Sequence, residues 1–395
     1  MTRRAADSCP GVLRLHEAAD GPLARIRVPG GRLEPAQIQA LAQAAHDLAD
    51  GNIELTSRGN VQLRQVRDAG TLTDRLASAG LLPSATHDRV RNIVASPLSG
   101  RIGGSADVHP LVSALDAGLR AAPRLADLPG RVLFTLDDGR GDVSGLGADI
   151  GVHAVGPDEF ALLLAGGDSG LRVTSADAVD VMLAAAHEFL RLRGDDAGSW
   201  RLHDIEHGAA RVADGLGPAP GAERLEFSAA RSIPIGWLEQ DDGSVALGAG
   251  VRLGCLPARV AEFLAAVERP IHLTPWRSLV VTDLAEWAAE QVVRVLAPMG
   301  LIFDADSPWL LVSACAGQPG CAKSRTDVRA DAADAVGTGR VLPGVADPAG
   351  VARTMPAPEV AVAGRQHWSG CDRRCGRPQG EVTDIVATDD GYRVD

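Results

Sequence analysis

Four of the six cysteines fall in two close pairs, and nothing else in the chain constrains its fold as tightly. Cys315-Ala-Gly-Gln-Pro-Gly-Cys321 and Cys371-Asp-Arg-Arg-Cys375 have the spacings C-x5-C and C-x3-C. Gly317, Gly320, Gly370 and Gly376 flank them, and glycine lets backbone amides approach a bound group closely. Four thiolates brought together can hold a [4Fe–4S] cluster. Zinc is the second reading, but structural zinc sites favour shorter spacing within each pair. A third takes the thiols as small buried residues, against which the two glycine-flanked pairs speak. Cys9 and Cys255 have no such partner and suit core or interface positions. The segment after Cys321 reads as helical through Ala335. A helix N-terminus there would favour a cluster's negative charge.

A weak internal repeat is the second constraint. In the first copy a strand over Leu23–Val28 leads to Gly30-Gly31. Pro35 then opens a helix with Ile38, Leu41, Ala45 and Leu48 on one face. A strand with Ile53, Leu55 and Thr56 follows and ends in Arg58 and Gln62. In the second copy Val245 and Leu247 precede Gly248 and Gly250. Pro257 opens a helix with Val260, Phe263, Leu264 and Val267, and a strand runs into Leu273-Thr274-Pro275-Trp276-Arg277. The two Leu-Thr pairs lie 273 − 55 = 218 residues apart.

Between and after the copies the pattern alternates. Residues 69–88 read as a short helix and a loop. Helices are expected over 108–122 and 175–194, and strands over Val132–Leu136 and Phe160–Leu164. Linkers are expected over 214–224, which is rich in Gly, Pro and Ala, and over Leu342–Pro358.

The formal net charge of −12 argues against nucleic acid, whose phosphates need a basic face. No apolar run reaches the roughly 18–20 residues that span a bilayer. Met1-Thr2-Arg3-Arg4 is followed by no apolar stretch, so neither a signal peptide nor a membrane partner is expected. A cytoplasmic location is the expectation, and there the cysteines should not form disulfides. Gly139–Gly147 lacks the Lys and spacing of a nucleotide-binding loop, so NAD(P)H binding is not supported.

Arginine forms a second constellation: Arg25, Arg27, Arg58, Arg64, Arg89, Arg91, Arg101, Arg131 and Arg277. Its planar, paired donors suit carboxylates. A single arginine is ordinarily a solvated surface charge. Arg58, Arg91, Arg101 and Arg277 stand apart because they occupy Gly/Pro-bounded turns after apolar strands. His367, Ser369, Asp204 and His207 are weaker candidates, as a lone histidine is more often structural.

These motifs together resemble the sulfite/nitrite reductase family. The C-x5-C and C-x3-C pairs, with Pro378 after the last cysteine, are similar to its cluster motif. The repeat resembles its doubled ferredoxin-like half-domain. Leu55-Thr56-Ser57-Arg58-Gly59-Asn60-Val61-Gln62-Leu63-Arg64 is similar to the first half-domain strand. Arg91-Asn92-Ile93 with Ser96-Pro97-Leu98-Ser99-Gly100 resembles the tetrapyrrole-pocket loop. Leu128-Pro129-Gly130-Arg131 followed by Asp149-Ile150-Gly151 resembles the central strand. Cys9-Pro10-Gly11 with Asp20–Gly31, Leu273–Arg277 and His367-Trp368-Ser369-Gly370-Cys371 are similar to a branch that oxidises a tetrapyrrole rather than reducing an inorganic anion.

The resemblance implies an α+β protein: two ferredoxin-like half-domains forming one pseudo-symmetric unit, plus two α/β modules of sulfite/nitrite reductase type. The implied boundaries are 12–82 and 225–300 for the half-domains, 88–213 for a tetrapyrrole-binding module and 305–395 for a [4Fe–4S] module. It implies cluster ligands Cys315, Cys321, Cys371 and Cys375. Arg58, Gln62, Arg91, Arg101, Arg131 and Arg277 would bind the tetrapyrrole. Reductases of the family carry two basic residues one apart on the Leu-Pro strand. Here Arg131 stands at the first position and Leu133 at the second. That departure leaves sirohaem as a resident group in question and fits a pocket that has become a substrate site. The implied partners are a small-molecule tetrapyrrole, oxygen and an external electron donor. Sirohaem or a mononuclear iron is the implied second centre, with His367, His153 or His207 as possible ligands. The alternative activity is sirohaem-dependent reduction of sulfite or nitrite; a non-enzymatic cluster or zinc protein ranks below it.

Overall fold

The computed structural model describes residues 9–194, 196, 198–217, 223–227, 233–344, 353–356 and 359–395. Met1–Arg4 and parts of both expected linkers lie outside these residues. Helices are α1 (Pro35–Leu48), α2 (Ala69–Ser78), α3 (His109–Ala121), α4 (Ser175–Arg193), α5 (Gly208–Leu216), α6 (Ala258–Ala265), α7 (Glu286–Leu296) and α8 (Val328–Gly337). Among the described residues, none is long and apolar enough to cross a membrane.

The repeat is realised as two sheets that exchange strands. The first sheet runs His16–Ala18, Gly21–Ile26, Val61–Leu63, Asn52–Leu55 and finally Cys255–Pro257 from the second copy. The other runs Gly236–Glu239, Val245–Val251, Ser278–Leu284, Ile271–Leu273 and finally Arg32–Leu33 from the first copy. Cys255 pairs with Glu54, and His272 with Arg32. Each copy thus supplies the other's edge strand, which leaves fewer backbone groups unpaired. α1 and α6 pack together and bury mainly small side chains, among them Ala42, Ala45, Ala261 and Ala265. One apolar core is shared by residues from 12–82 and 245–301. Gly31 shows why the Gly-Gly step is needed: it has φ +72°, and a Cβ would lie 2.0 Å from the Leu273 carbonyl oxygen.

A second five-stranded sheet unit uses Ile93–Ala95, Phe134–Asp137, Ile150–Gly156, Glu159–Leu164 and Gly167–Thr174, in chain order across the sheet. Its first three strands are parallel and α3 and α4 contribute to its core. The expected linker after α5 is not free where it is described. Leu225 N donates to Asp168 at 2.9 Å, and Arg172 donates to the Glu223 carbonyl at 2.8 Å. The C-terminal sheet orders Val312–Ala314, Gln366–Ser369, Thr383–Thr388, Gly391–Val394 and Arg353–Met355. Trp368 is fully buried there, edge-on to Tyr392 at 4.9 Å between ring centroids.

One expectation fails near the cysteines. No helix begins at Cys321. Residues 322–327 form turns, and α8 begins at Val328 because Asp327 caps it, accepting from Arg329 N at 3.2 Å and Ala330 N at 3.1 Å. The positive end of α8 therefore starts at the Asp327 cap, not at the second cysteine.

Candidate functional site

The topology explains why distant cysteines meet. Val312–Ala314 and Gln366–Ser369 are adjacent parallel strands, with Ala314 opposite Trp368. Cys315 and Cys371 follow their C-terminal ends, where the chain leaves the sheet on the same side. Cys315 N donates to the Trp368 carbonyl at 3.0 Å, and Gly370 N donates to the Cys315 sulfur at 3.3 Å. Burial raises the Cys375 thiol pKa, and the charges of Cys315, Cys371 and Cys321 raise it further. The other three thiols therefore lie within electrostatic reach of Cys375. A tetrahedral zinc with bonds of about 2.3 Å needs sulfurs roughly 3.8 Å apart. Among the described residues, no three of these cysteines bring their sulfurs within 4.8 Å of one another. The set is wider than a single tetrahedral ion requires. Gly317 and Gly376, at φ +67° and +80°, supply the turns beside it.

Two arginines fasten the first cysteine loop to the first sheet. Arg64 forms a paired contact with Asp20 and donates to the Gly320 carbonyl at 2.9 Å. Arg329 donates to the Cys315 carbonyl at 3.2 Å and to Glu54 at 2.6 Å.

Beside the cysteines lies a cavity of about 1300 Å³, its open mouth included. Part of its wall is built from two copies of one turn. Thr56 Oγ1 accepts from Arg58 N and Asn60 N; Thr274 Oγ1 accepts from Trp276 N and Ser278 N. The copies align with the 218-residue offset, so Trp276 takes the place of Arg58 and Arg277 that of Gly59. Gly59 has φ +62° and Arg277 φ +58°. A left-handed arginine is strained, and such strain gathers at functional sites. Glycines make room for it: a Cβ on Gly254 would sit 2.9 Å from Arg277 Cδ, and one on Gly376 2.8 Å from Arg277 Nη2.

Arg58, Arg201, Arg277, Arg365 and Arg377 all line this cavity. Arg201 is paired with Asp149, and Arg377 with Asp384. Among the described residues, Arg58, Arg277 and Arg365 form no ion pair at 4 Å or less. Burial lowers the pKa of Arg58 to about 10, with Arg201 adding to the shift. Burial also lowers Arg277, helped by Arg329, and Arg365, helped by Arg377. Arg58 and Arg277 are half-buried and Arg365 is exposed, and three guanidiniums that no carboxylate among the described residues pairs make a field for an anion. The cavity and the cysteines share chain: Ser313 lines it two residues before Cys315, and Gly376 directly after Cys375. Arg277 donates to the Gly376 carbonyl at 3.1 Å.

Other sequence candidates go elsewhere. Arg91 is buried in a paired contact with Asp116 and lines a different pocket. Arg101 is held by Asp283 at 2.8 Å through two nitrogens. Neither lines this cavity, and each is held by an acidic partner from another segment. Arg131 stacks on Trp200 with its guanidinium 4.3 Å from the ring and is exposed, while Leu133 lines the cavity. Gln62 bridges Arg25 and Glu54 on the first sheet. Arg201, Arg365 and Arg377 escaped the sequence reading. Only Arg377 carried a signal, its place two residues after Cys375.

The histidines do not converge. His367 sits under the cavity with Nδ1 2.9 Å from Ser313 Oγ. Burial, assisted by Arg277, lowers its pKa to about 4. Its Nε2 faces the Cys375 main chain but has no partner in hydrogen-bonding geometry, and the Ser369 hydroxyl is also unpartnered. His153 contacts Ser144 and Asp137, and His207 is exposed beside Glu206. Asp204 accepts from the Trp200 and Arg201 amides as a local turn residue. Cys255 lies on the sheet edge with its thiol pKa pushed up to about 11 by burial.

Residues 16–77 match the nitrite/sulfite reductase ferredoxin-like half domain. The NirA protein of Mycobacterium tuberculosis superposes with a TM-score of 0.71 at 20% identity, covering 94% of this chain and 73% of that one. The fold is that of the nitrite/sulfite reductases. Among curated relatives, the precorrin-3B synthase of a Sinorhizobium species is 27% identical, over 98% of this chain and 81% of its own length. The ferredoxin–nitrite reductase of Synechococcus elongatus is also 27% identical, over 92% of this chain and 75% of its own. The names of these relatives are those of redox enzymes, so oxidoreductase is the class they support here.

Proposed function

We propose that Cys315, Cys321, Cys371 and Cys375 hold a [4Fe–4S] cluster and that the adjoining cavity binds a carboxylate-rich tetrapyrrole as substrate. The reaction we infer is that of precorrin-3B synthase: oxygen-dependent conversion of precorrin-3A to precorrin-3B, by ring hydroxylation with lactone formation from an acetate side chain. One oxygen atom enters the product and the other leaves as water, so two electrons and two protons come from an external donor. A bound cluster supplies one-electron transfer beside the cavity.

The observation that carries this reading is the wall around Leu133. Where the resemblance to the reductases would place a second basic residue, the cavity has an apolar side chain, and Arg131 has turned away onto Trp200. A wall without that second cation would hold a resident sirohaem's carboxylates less firmly and favours a macrocycle bound as substrate. Arg58, Arg277 and Arg365 would take its carboxylates and fix its orientation, and positioning of this sort can account for several kcal/mol of a barrier. His367, held neutral against Ser313, adds no charge beneath the cavity. The domain boundaries we adopt are 12–82, 88–213, 225–300 and 305–395, as the cores of 12–82 with 245–301, 90–212 and 312–394 support them.

The alternative is a sirohaem-dependent nitrite or sulfite reductase. The nitrite-reductase relatives favour it, and the same arginines would suit sirohaem carboxylates. Anaerobic purification with iron, labile sulfide and the visible spectrum separates the two. About four irons and four sulfides without sirohaem bands, followed by turnover of precorrin-3A with oxygen, is the expected result. Sirohaem bands and nitrite or sulfite reduction would move the assignment to the reductases.

A further inference from the structure

The two copies of the cavity turn differ at one position in a way that bears on recognition. Arg58 and Trp276 occupy matching places, each with its backbone N–H on the hydroxyl of the preceding Thr56 or Thr274. Both line the cavity. The first copy thus presents a cation, and the second a neutral ring with one donor. That donor, Trp276 Nε1, is sealed from solvent and has no hydrogen-bond partner among the described residues. An unmade buried hydrogen bond is costly, and a buried indole N–H ordinarily finds an acceptor. Its neighbour Arg277 lines the same cavity, forms no ion pair among the described residues, and spends one nitrogen on the Gly376 carbonyl.

We propose that Trp276 orients the ligand: its indole turns on ligand entry so that Nε1–H and the Arg277 guanidinium share one carboxylate of the tetrapyrrole. This rests on the assignment of the cavity as a tetrapyrrole site. The unlike pair, Arg58 in one copy of the turn and Trp276 in the other, gives the cavity a direction. A macrocycle whose carboxylate chains are unevenly distributed then enters in one orientation.

Uroporphyrin III, a soluble tetrapyrrole with eight carboxylates, is a suitable probe for the full-length protein in a visible-absorbance titration. Trp276→Phe keeps a ring and removes the N–H, and should bind about tenfold more weakly. That loss should be the same at low and high salt, because the donor is neutral. The loss in Arg58→Ala should shrink as salt rises. Trp276→His, which retains a ring N–H, should recover affinity to within about threefold of wild type. Wild-type affinity in Trp276→Phe, with Arg58→Ala weakened, would overturn the role of Trp276 and leave the tetrapyrrole site standing. If the Phe variant does not fold, a tenfold loss in Trp276→His overturns the proposal and near-wild-type binding supports it. A wild-type protein that does not bind the probe defeats the tetrapyrrole site and the proposal together.

Discussion

Arg329, in the first turn of α8, donates to Glu54 in the middle of the first sheet at 2.6 Å. The two are 275 residues apart in sequence, and the contact joins the cysteine loop to the repeat unit. Glu54 also accepts from Gln62 at 3.1 Å, and its side chain is 7% exposed. Removing one partner of a buried pair leaves the other uncompensated, at a cost of about 3–5 kcal/mol. Arg329 keeps 27% of its side chain exposed, so the loss should fall near the lower end. Glu54→Ala should therefore unfold in urea with about 3 kcal/mol less stability. If the thiols hold a cluster, iron should also leave this variant faster under a chelator. An unchanged urea midpoint would show that the contact does not fasten the loop.

The cavity separates two arginines that share a sequence pattern. Arg58 lines it without an ion pair, whereas Arg91 is spent on Asp116. A lost charge-assisted hydrogen bond costs roughly 1.5–3 kcal/mol, about 10- to 150-fold in affinity. Arg58→Ala should weaken tetrapyrrole binding by that factor with an unchanged thermal midpoint. Arg91→Ala should do the reverse, lowering stability by about 2–3 kcal/mol and leaving affinity intact, as Arg120 remains on Asp116. Equal affinity losses in both would contradict the placement of Arg91.

Asp142 predicts an unusual pH dependence. Its pKa is raised to about 6 by burial and then by the charge of Asp137, whose carboxylate oxygens lie within 4.8 Å of those of Asp138 and Asp142. A folded pKa above the unfolded value of 3.8 means that this group's contribution is full below about pH 4 and is lost as pH rises through 6. The shift of about two units corresponds to roughly 3 kcal/mol at neutral pH. Asp142→Asn keeps the acceptor for Ser96 and should stabilise the protein at pH 7 by about 2–3 kcal/mol. Its advantage should vanish by pH 4. Denaturation midpoints of both proteins from pH 4 to 7.5 test this, and parallel curves would rule it out.

How far the site could be read from the sequence depended on the range of the contacts. The cysteine pairs and the Leu55-Thr56 and Leu273-Thr274 turns are local motifs, so the repeat and the positions of Arg58 and Arg277 were visible. Their α+β setting and the nitrite/sulfite reductase fold followed from the same motifs. What the sequence hid was the pairing of charges. Asp116 stands 25 residues from Arg91, and Asp283 stands 182 residues from Arg101. No local pattern marks those partners, so both arginines looked available. Arg201 and Arg365 come from separate segments and meet the cavity only through the packing of different sheets. The start of α8 was misread because the run from Lys323 to Thr326 contains neither Gly nor Pro, while the decisive cap at Asp327 acts through two hydrogen bonds.

Arg277 offers a direct test of whether strain is kept for function. Its φ of +58° matches that of Gly59 in the other copy, where the backbone conformation is free of side-chain conflict. A non-glycine residue held there costs on the order of 1 kcal/mol or more. Its contact with the Gly376 carbonyl is a single hydrogen bond, worth about 1 kcal/mol. Arg277→Gly should relieve the strain, lose that bond and give up a half-buried cation that has no ion pair among the described residues. It should fold with stability equal to wild type or up to about 1 kcal/mol greater. Tetrapyrrole affinity should fall at least tenfold. Arg277→Ala, which keeps the strain and loses the contact, should be less stable than Arg277→Gly by about 1 kcal/mol. Urea unfolding of the three proteins, read beside their binding curves, decides the matter. An Arg277→Gly protein that binds normally would mean that the left-handed arginine serves the turn and not the ligand.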